Sequence, residues 1–167
     1  MKLSRTAFII VLVVANIAID QISKVIVRAK VVAGSKSNII GEFLTLHNVE
    51  NDGAFLGMGG DWGPTAKLFT LLIIPAIVLG LVLIHMLRDK TMDKLSLIGF
   101  ACVVGGGIAN VFDRFMYGSV TDFLHMDLGG VFRTGIFNAA DMSVTFGMII
   151  ILWASFIQRK KQKPETT

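Results

Sequence analysis

Asp122 and Asp141 stand near the two ends of a short connection, residues 118–141, that joins two long apolar segments. A carboxylate at the edge of a hydrocarbon layer loses hydration unless other groups hold it, so two of them beside membrane-length segments ask for a functional reason. Brought close together, two carboxyls cannot both ionise cheaply. They share one proton, the ionised member activating a water while the protonated member polarises a carbonyl. That is equipment for general acid–base attack of water on a carbonyl, and no serine or cysteine in the chain has a base beside it at a spacing that would supply a covalent route. Asp141 also carries a local reading. The run Phe137-Asn-Ala-Ala-Asp141-Met142 fits a helix start, with Asn138 as N-cap, Asp141 in the first turn and Phe137 against Met142 as a staple. The two readings coexist, because a carboxylate fixed at a helix start is rigidly aimed.

Three further groups of polar residues sit in or beside apolar runs. Asn16, Asp20 and Lys24 recur at four-residue spacing and share one helix face, with Asp N-terminal to Lys in the favourable order. That face must point into the protein, where it forms a structural ion pair or serves the chemistry. Asn110, Asp113 and Arg114 close another apolar run at i, i+3 and i+4, which suits an internal Asp–Arg pair or a group that positions substrate. Asn51-Asp52-Gly53 follows a β-forming stretch at 43–49, and Asp-Gly signals a tight turn, so a strand-turn-strand is expected there. Asn51 is by itself an ordinary turn residue.

The elements that must position these groups are membrane spans. Of the 167 residues 53% are hydrophobic, well above a soluble composition. The expected class is a mainly α membrane protein, a four-transmembrane-helix bundle with a small β-rich extracytoplasmic portion formed by the first and third loops. Spans fall at about 7–27, 66–87, 95–116 and 138–157, with outer loops at 28–65 and 117–137, a charged turn at 88–94 and a tail at 158–167, all in one integral membrane domain, 1–167. The first run begins like a signal peptide, but its ionisable pair and the lack of a small-x-small site argue for a retained helix. Pro75 should kink the second span. Gly99, Gly105, Gly106, Gly107 and Ala109 let another helix approach the third. Those glycines are not a phosphate loop, because no Gly-Lys-Ser/Thr follows. Short strands are expected at 120–124 and 131–136.

The net charge of +4 comes from basic residues at 1–5, 88–94 and 159–163, beside the ends of apolar runs. This is the positive-inside pattern and not a nucleic-acid patch, and it puts both termini in the cytoplasm and the two longer loops outside. Asp20 and Lys24, then Asn110, Asp113 and Arg114, then Asn138 and Asp141 all fall at the outer depth, and Asn51 and Asp122 can reach it from the loops. Four segments thus converge on one layer. The single Cys102 excludes an internal disulfide and a cysteine-rich metal site.

Five stretches in order, Asp20-Gln-Ile-Ser-Lys24, Asn51-Asp-Gly-Ala-Phe55, Asn110-Val-Phe-Asp-Arg114, Val120-Thr-Asp122-Phe and Phe137-Asn-Ala-Ala-Asp141, resemble the motifs of the lipoprotein signal peptidases, or signal peptidases II, across nearly the whole chain. One position departs: the family usually has Gly immediately before the asparagine matched to Asn110, and this chain has Ala109. The resemblance implies an aspartic endopeptidase of the bacterial cytoplasmic membrane that cleaves diacylglyceryl-modified prolipoproteins on the N-terminal side of the lipid-modified cysteine, with no metal and no cofactor. It implies that Asp122 and Asp141 are the catalytic dyad, that Asp20, Lys24, Asn51, Gly53, Asn110, Asp113, Arg114 and Asn138 support the site or contact substrate, and that globomycin, a substrate mimic, is an inhibitor. Its partners would be prolipoprotein signal peptides and membrane lipids, with no nucleic acid.

Three rivals have different expectations. An ion- or proton-coupled transporter would use the same intramembrane charges but calls for an inverted repeat and sites at mid-depth, and no repeat is visible. A metallohydrolase on Asp122, His125 and Asp127 lacks a recognisable ligand spacing, with His47 and His85 distant in sequence. Intramembrane aspartyl proteases of the Gly-x-Gly-Asp type do not match Asn138-Ala-Ala-Asp141.

Overall fold

The computed structural model describes residues 3–54 and 57–162. Phe55, which closes the first-loop motif, and residues 163–167 of the tail lie outside them. Chain order is α1 (Arg5–Lys30), β1 (Lys36–Ile40), β2 (Leu44–Asn51), α2 (Pro64–Arg88), α3 (Lys94–Tyr117), β3 (Val120–Met126) and α4 (Ala139–Gln162). All four helices are long and apolar enough to cross a membrane. At 1.5 Å per residue even 22 residues extend about 33 Å, the thickness of the hydrocarbon layer. Their surfaces are inverted relative to a soluble protein: Ile10, Val14, Ile22, Phe146, Leu152 and Trp153 face outward, while Asp20, Lys24, Asp113 and Asn138 have 0% exposure. Only a hydrocarbon solvent makes that distribution favourable.

The other helices pack on α3, and three consecutive glycines explain why. Successive residues of a helix point about 100° apart, so Gly105, Gly106 and Gly107 present three faces to three neighbours. A Cβ on Gly105 would meet Asn16 of α1 at 2.6 Å, one on Gly106 the Ala140 carbonyl of α4 at 2.5 Å, and one on Gly107 the Leu79 side chain of α2 at 2.6 Å. The glycine run thus serves three close approaches and not one. At one end the bundle closes over Ile9, Val13, Met86, Leu97, Ala101 and Val104. There Arg5 donates to the Met86 and Asp89 carbonyls at the end of α2 (2.8 and 2.5 Å), and Asp93 caps α3 through the Leu95 and Ser96 amides.

At the other end the two longer loops combine into one antiparallel sheet in the order β1-β2-β3. The hairpin lies upstream of its expected place. It joins β1 to β2 through residues 41–43, and Asp52-Gly53 ends β2 instead of turning it into another strand. The partner that satisfies the far edge of β2 comes from the second loop, which sequence spacing could not reveal. Of the two strands expected in that loop only Val120–Met126 forms; residues 131–136 contribute an isolated bridge, Asp127 to Arg133, and Phe137 bridges Leu124. In α2 the proline leaves its mark upstream. Leu68–Ile73 is π-helical, with the Ile74 N–H bonded to Phe69 O, so the turn before Pro75 is widened by one residue.

Candidate active site

Three local devices bring Asp122 and Asp141 to one place. Gly118 ends α3 in a left-handed conformation (φ 80°) that returns the chain at once into β3. On β3 stands Asp122, 3% exposed. Phe137 is then tied to β3 by hydrogen bonds with Leu124 (2.8 Å each way), so Asn138 starts α4 directly beside Asp122. Asn138 forms a reciprocal cap with Asp141: its Oδ1 accepts the Asp141 N–H (2.9 Å), and Asp141 Oδ2 accepts the Asn138 N–H (3.2 Å). The capping arrangement is therefore present, and the same residue Asn138 donates its Nδ2 to Asp122 Oδ1 at 2.7 Å.

Asn51 reaches Asp122 from β2 because of a bulge. Between the pairs Leu46–Leu124 and Val49–Asp122, β2 takes three steps where β3 takes two. Without the extra residue Glu50 would stand opposite Val120; with it Asn51 does, and its side chain shares a face with Asp122, its diagonal neighbour. Asn51 Nδ2 donates to Asp122 Oδ2 at 2.8 Å. On α3, Asn110 Nδ2 donates to Asp141 Oδ1 at 2.9 Å. Each aspartate thus receives two donors among the described residues. Burial outweighs these hydrogen bonds and, with Asp141 nearby, pushes the Asp122 carboxyl up to about 6.

Both aspartates line a cavity of about 510 Å³ shared with Asn51, Asn110, Arg114 and Asn138 at its polar end and Leu71, Val78, Leu79, Val103, Val144 and Met148 along its length. This is a site of small-molecule or peptide dimensions, apolar with a few convergent polar groups. Arg114 Nη2 donates to Gly53 O (2.7 Å) and Nη1 to Asn110 O (3.4 Å), while its buried Nε has no partner among the described residues. Gly53 therefore enters through its backbone: its carbonyl holds Arg114, and a Cβ there would meet Gly57 O at 2.6 Å.

Behind the aspartates lies a buried ion cluster. Lys24 is 2.7 Å from Asp20, 2.8 Å from Asp113 and 2.8 Å from Asn110 Oδ1. Asp20 Oδ1 also accepts the Ala140 N–H (2.8 Å), placing a carboxylate at the positive end of α4. The Asp113–Arg114 pair expected from their adjacency is not formed, because neighbouring residues on a helix point in different directions. Asp113 turns to Lys24 and to Arg28, whose Nη2 lies 3.3 Å away. Two members were missed in the sequence. Arg28, which bonds Thr121 (2.7 Å) and stacks over Tyr117, extends the Asp20–Lys24 ladder by another four residues, and Gln21 donates to Asp113 (2.9 Å). The four-residue spacing was the available signal for Arg28.

The trio Asp122, His125 and Asp127 is not assembled. Strand alternation puts His125 and Asp127 on the face opposite Asp122, Asp127 pairs with Arg133 at 2.7 Å, and His125 packs edge-on against His47, its neighbour across the sheet despite their separation in sequence. Among the described residues no group of three or more His, Cys, Asp or Glu side chains is arranged to hold a metal ion.

The fold and site define a multi-pass membrane protein with a paired-carboxylate cavity at one end of a four-helix bundle. Residues 11–157 match the family model described as signal peptidase (SPase) II, and the chain belongs to that family. It is 37% identical over 140 residues to the lipoprotein signal peptidase of Paraburkholderia phymatum, covering 82% of this chain and 80% of that one. To that of an Azoarcus species it is 35% identical over 171 residues, covering 96% and 92%. A solved bacterial membrane enzyme, determined by the in meso method, superposes with a TM-score of 0.81 at 26% identity over 96% of this chain and 94% of that one.

Proposed function

We propose that this protein is an aspartic endopeptidase that removes signal peptides from diacylglyceryl-modified prolipoproteins, cutting on the N-terminal side of the lipid-modified cysteine. The observation that carries the reading is the shared cavity: Asp122 from β3 and Asp141 from α4, each held by two donors and neither in an ion pair among the described residues, open on a long apolar space. The apolar length accepts the hydrophobic signal segment, and the polar end meets its scissile bond. With one proton between them, the ionised carboxylate takes a proton from a water that attacks the carbonyl carbon, and the protonated carboxyl donates to the carbonyl oxygen. The gem-diol intermediate collapses as the leaving nitrogen receives a proton from the pair and one of the diol hydroxyls gives a proton back to it, which restores the starting state. The pair titrates as a unit, so neither member owns the proton at rest.

Arg114 has a part in this reading. Its buried Nε is free to donate to a carbonyl or ester oxygen of the substrate, while its other two nitrogens are already held by Gly53 and Asn110. Basic residues at 88–94 and at both ends of the chain support an inner bacterial membrane location with cytoplasmic termini and the site near the extracytoplasmic face, where water reaches the dyad while acyl chains stay in lipid. The ion cluster and the sheet lie at that same end.

The purified protein should cleave a diacylglyceryl-modified precursor, leave the unmodified precursor intact and be blocked by globomycin. Equal cleavage of both precursors would remove the lipid-modified substrate class. Reporter fusions at Ser35, Lys90 and Gly129 should report outside, inside and outside. An outside signal at Lys90 would overturn the orientation.

A further inference from the structure

Each asparagine around the two aspartates has its carbonyl oxygen already engaged. Asn51 Oδ1 accepts the Gly53 N–H (2.9 Å), Asn138 Oδ1 the Asp141 N–H (2.9 Å) and Asn110 Oδ1 the Lys24 ammonium (2.8 Å). A backbone N–H and an ammonium can only donate, so turning any of these amides over would set donor against donor in a buried site. All three must therefore show their NH2 groups to the aspartates: Asn51 and Asn138 to Asp122, Asn110 to Asp141. The locks on Asn51 and Asn138 are made by backbone within three residues. The shorter lock on Asn110 comes from a different helix and from a side chain with 0% exposure, beside a longer contact from Asn138 Nδ2 at 3.3 Å.

We propose that Lys24 is a positioning residue for the cleavage reaction: by holding Asn110 with its NH2 toward Asp141, it keeps that carboxyl an acceptor and confines the single proton of the pair to the side facing the cavity. The inference rests on the aspartic reading above. An ammonium has three N–H directions; Lys24 is in ion-pair contact with Asp20 and Asp113 and donates a hydrogen bond to Asn110. Two carboxylates would suffice for a cation that only balanced charge; the third direction is spent on a neutral amide whose other end touches a member of the dyad. Arginine would not reproduce this, because its planar fork cannot aim at three separated acceptors in the same way.

The charged groups that face this point are Asp20, Lys24 and Arg28 from α1, Asp113 and Arg114 from α3, Asp122 from β3 and Asp141 itself. The stretch of α2 that lines the cavity brings only Thr70, Leu71, Pro75, Val78 and Leu79, so no other cation from that side can replace the lock. With Lys24 removed, the Asn110 oxygen keeps only its longer contact from Asn138 Nδ2 (3.3 Å), and the amide can turn that oxygen toward Asp141. An acceptor there favours the protonated carboxyl, the pair takes up a second proton at higher pH, and a doubly protonated pair has no base for water. The acid limb of the pH profile of kcat/KM must then move upward.

The test uses the full chain in detergent or nanodiscs with a diacylglyceryl-modified precursor as substrate. Lys24→Met removes the lock but leaves two buried carboxylates short of a cation, so the decisive variant is Lys24→Met with Asp113→Asn, which deletes one charge of each sign. Asp113→Asn alone is the reference, since it alters the same cluster and keeps Lys24 on Asn110. The double variant should show its acid limb about one pH unit above that of the reference. Coincident limbs would overturn the inference, leaving Lys24 a structural cation. Asp122→Asn and Asp141→Asn, assayed alongside, separate the two levels: cleavage by either would sink the dyad, whereas dead dyad variants with coincident limbs sink only the role of Lys24.

Discussion

Two pairs of aspartates meet at the same end of the bundle, and their surroundings differ in kind. Asp20 and Asp113 share the Lys24 ammonium, with Arg28 beside Asp113, so each of these buried carboxyls has a cation against it. Among the described residues Asp122 and Asp141 receive only amide N–H donors, from Asn51, Asn110 and Asn138. An ion pair fixes the charge of its members: protonating either one strands its partner in a medium that cannot hydrate it. Amides lower the cost of a buried charge without forbidding protonation, and a carboxyl so held can give and take a proton within the range where water chemistry is run. On the proposed reading, this difference is what divides four buried acids at one end of the bundle into scaffold and chemistry.

The widest separation between the pairs should appear in cleavage. Asp122→Asn and Asp141→Asn are expected to fold and insert yet lose activity by roughly a thousandfold or more, the scale of an acid–base group. Asp113→Asn is expected to lose stability while retaining measurable cleavage per folded molecule. Cleavage surviving in either of the first two would erase the distinction, and an ion flux lost in both with cleavage intact would hand the site to a transporter. Next in size is Lys24→Ala, which strips the cation from two buried carboxylates. A loss of about 3–5 kcal/mol is expected in chemical or thermal unfolding from detergent, together with a fall in activity.

The pH dependence of stability tests the other half of the comparison. The folded Asp122 carboxyl titrates at about 6, above its ordinary 3.8, because burial disfavours the charged form. Its contribution is therefore fully present below pH 3.8 and is lost as pH rises through about 6, when the native state must hold a poorly hydrated charge. Asp122→Asn has no such charge. Wild type should lose up to about 3 kcal/mol relative to this variant between about pH 4 and pH 8, because each pH unit separating the folded and unfolded titrations is worth about 1.36 kcal/mol. A pH-independent difference would show that amides hold Asp122 as well as a cation would. The smallest effect is expected from Gly106→Ala. Its methyl meets the Ala140 carbonyl at 2.5 Å, so α4 must back away and carry Asp141 with it, at about 1–3 kcal/mol of stability and with a loss of activity larger than Gly105→Ala produces.

Much of the framework was legible in the residue pattern, for local reasons. Four apolar runs of membrane length, basic flanks and the Asp-Lys spacing on α1 are properties of single helices, which form with the same period whatever surrounds them. The cap at Asn138 and Asp141 is likewise a matter of four consecutive residues, and the convergence of polar groups at one depth follows from alternating helix directions. The partnerships across the sheet were not legible. Asp-Gly at 52–53 looked like a hairpin turn because the signal is local, whereas the strand that completes β2 arrives from about 70 residues downstream.

What the sequence alone determined, then, is the class of molecule, the number of spans and the set of acids and amides carried to one level, since hydropathy and helical period act within a segment. Tertiary structure decided how those groups were shared out. The one-residue bulge in β2 chose Asn51 over Glu50 to face Asp122, the three glycines of α3 let α1, α2 and α4 close on it, and Asp113 turned to Lys24 and away from the adjacent Arg114. Such choices depend on register and on ångström-scale backbone approach between distant segments, and no periodicity within one segment encodes them.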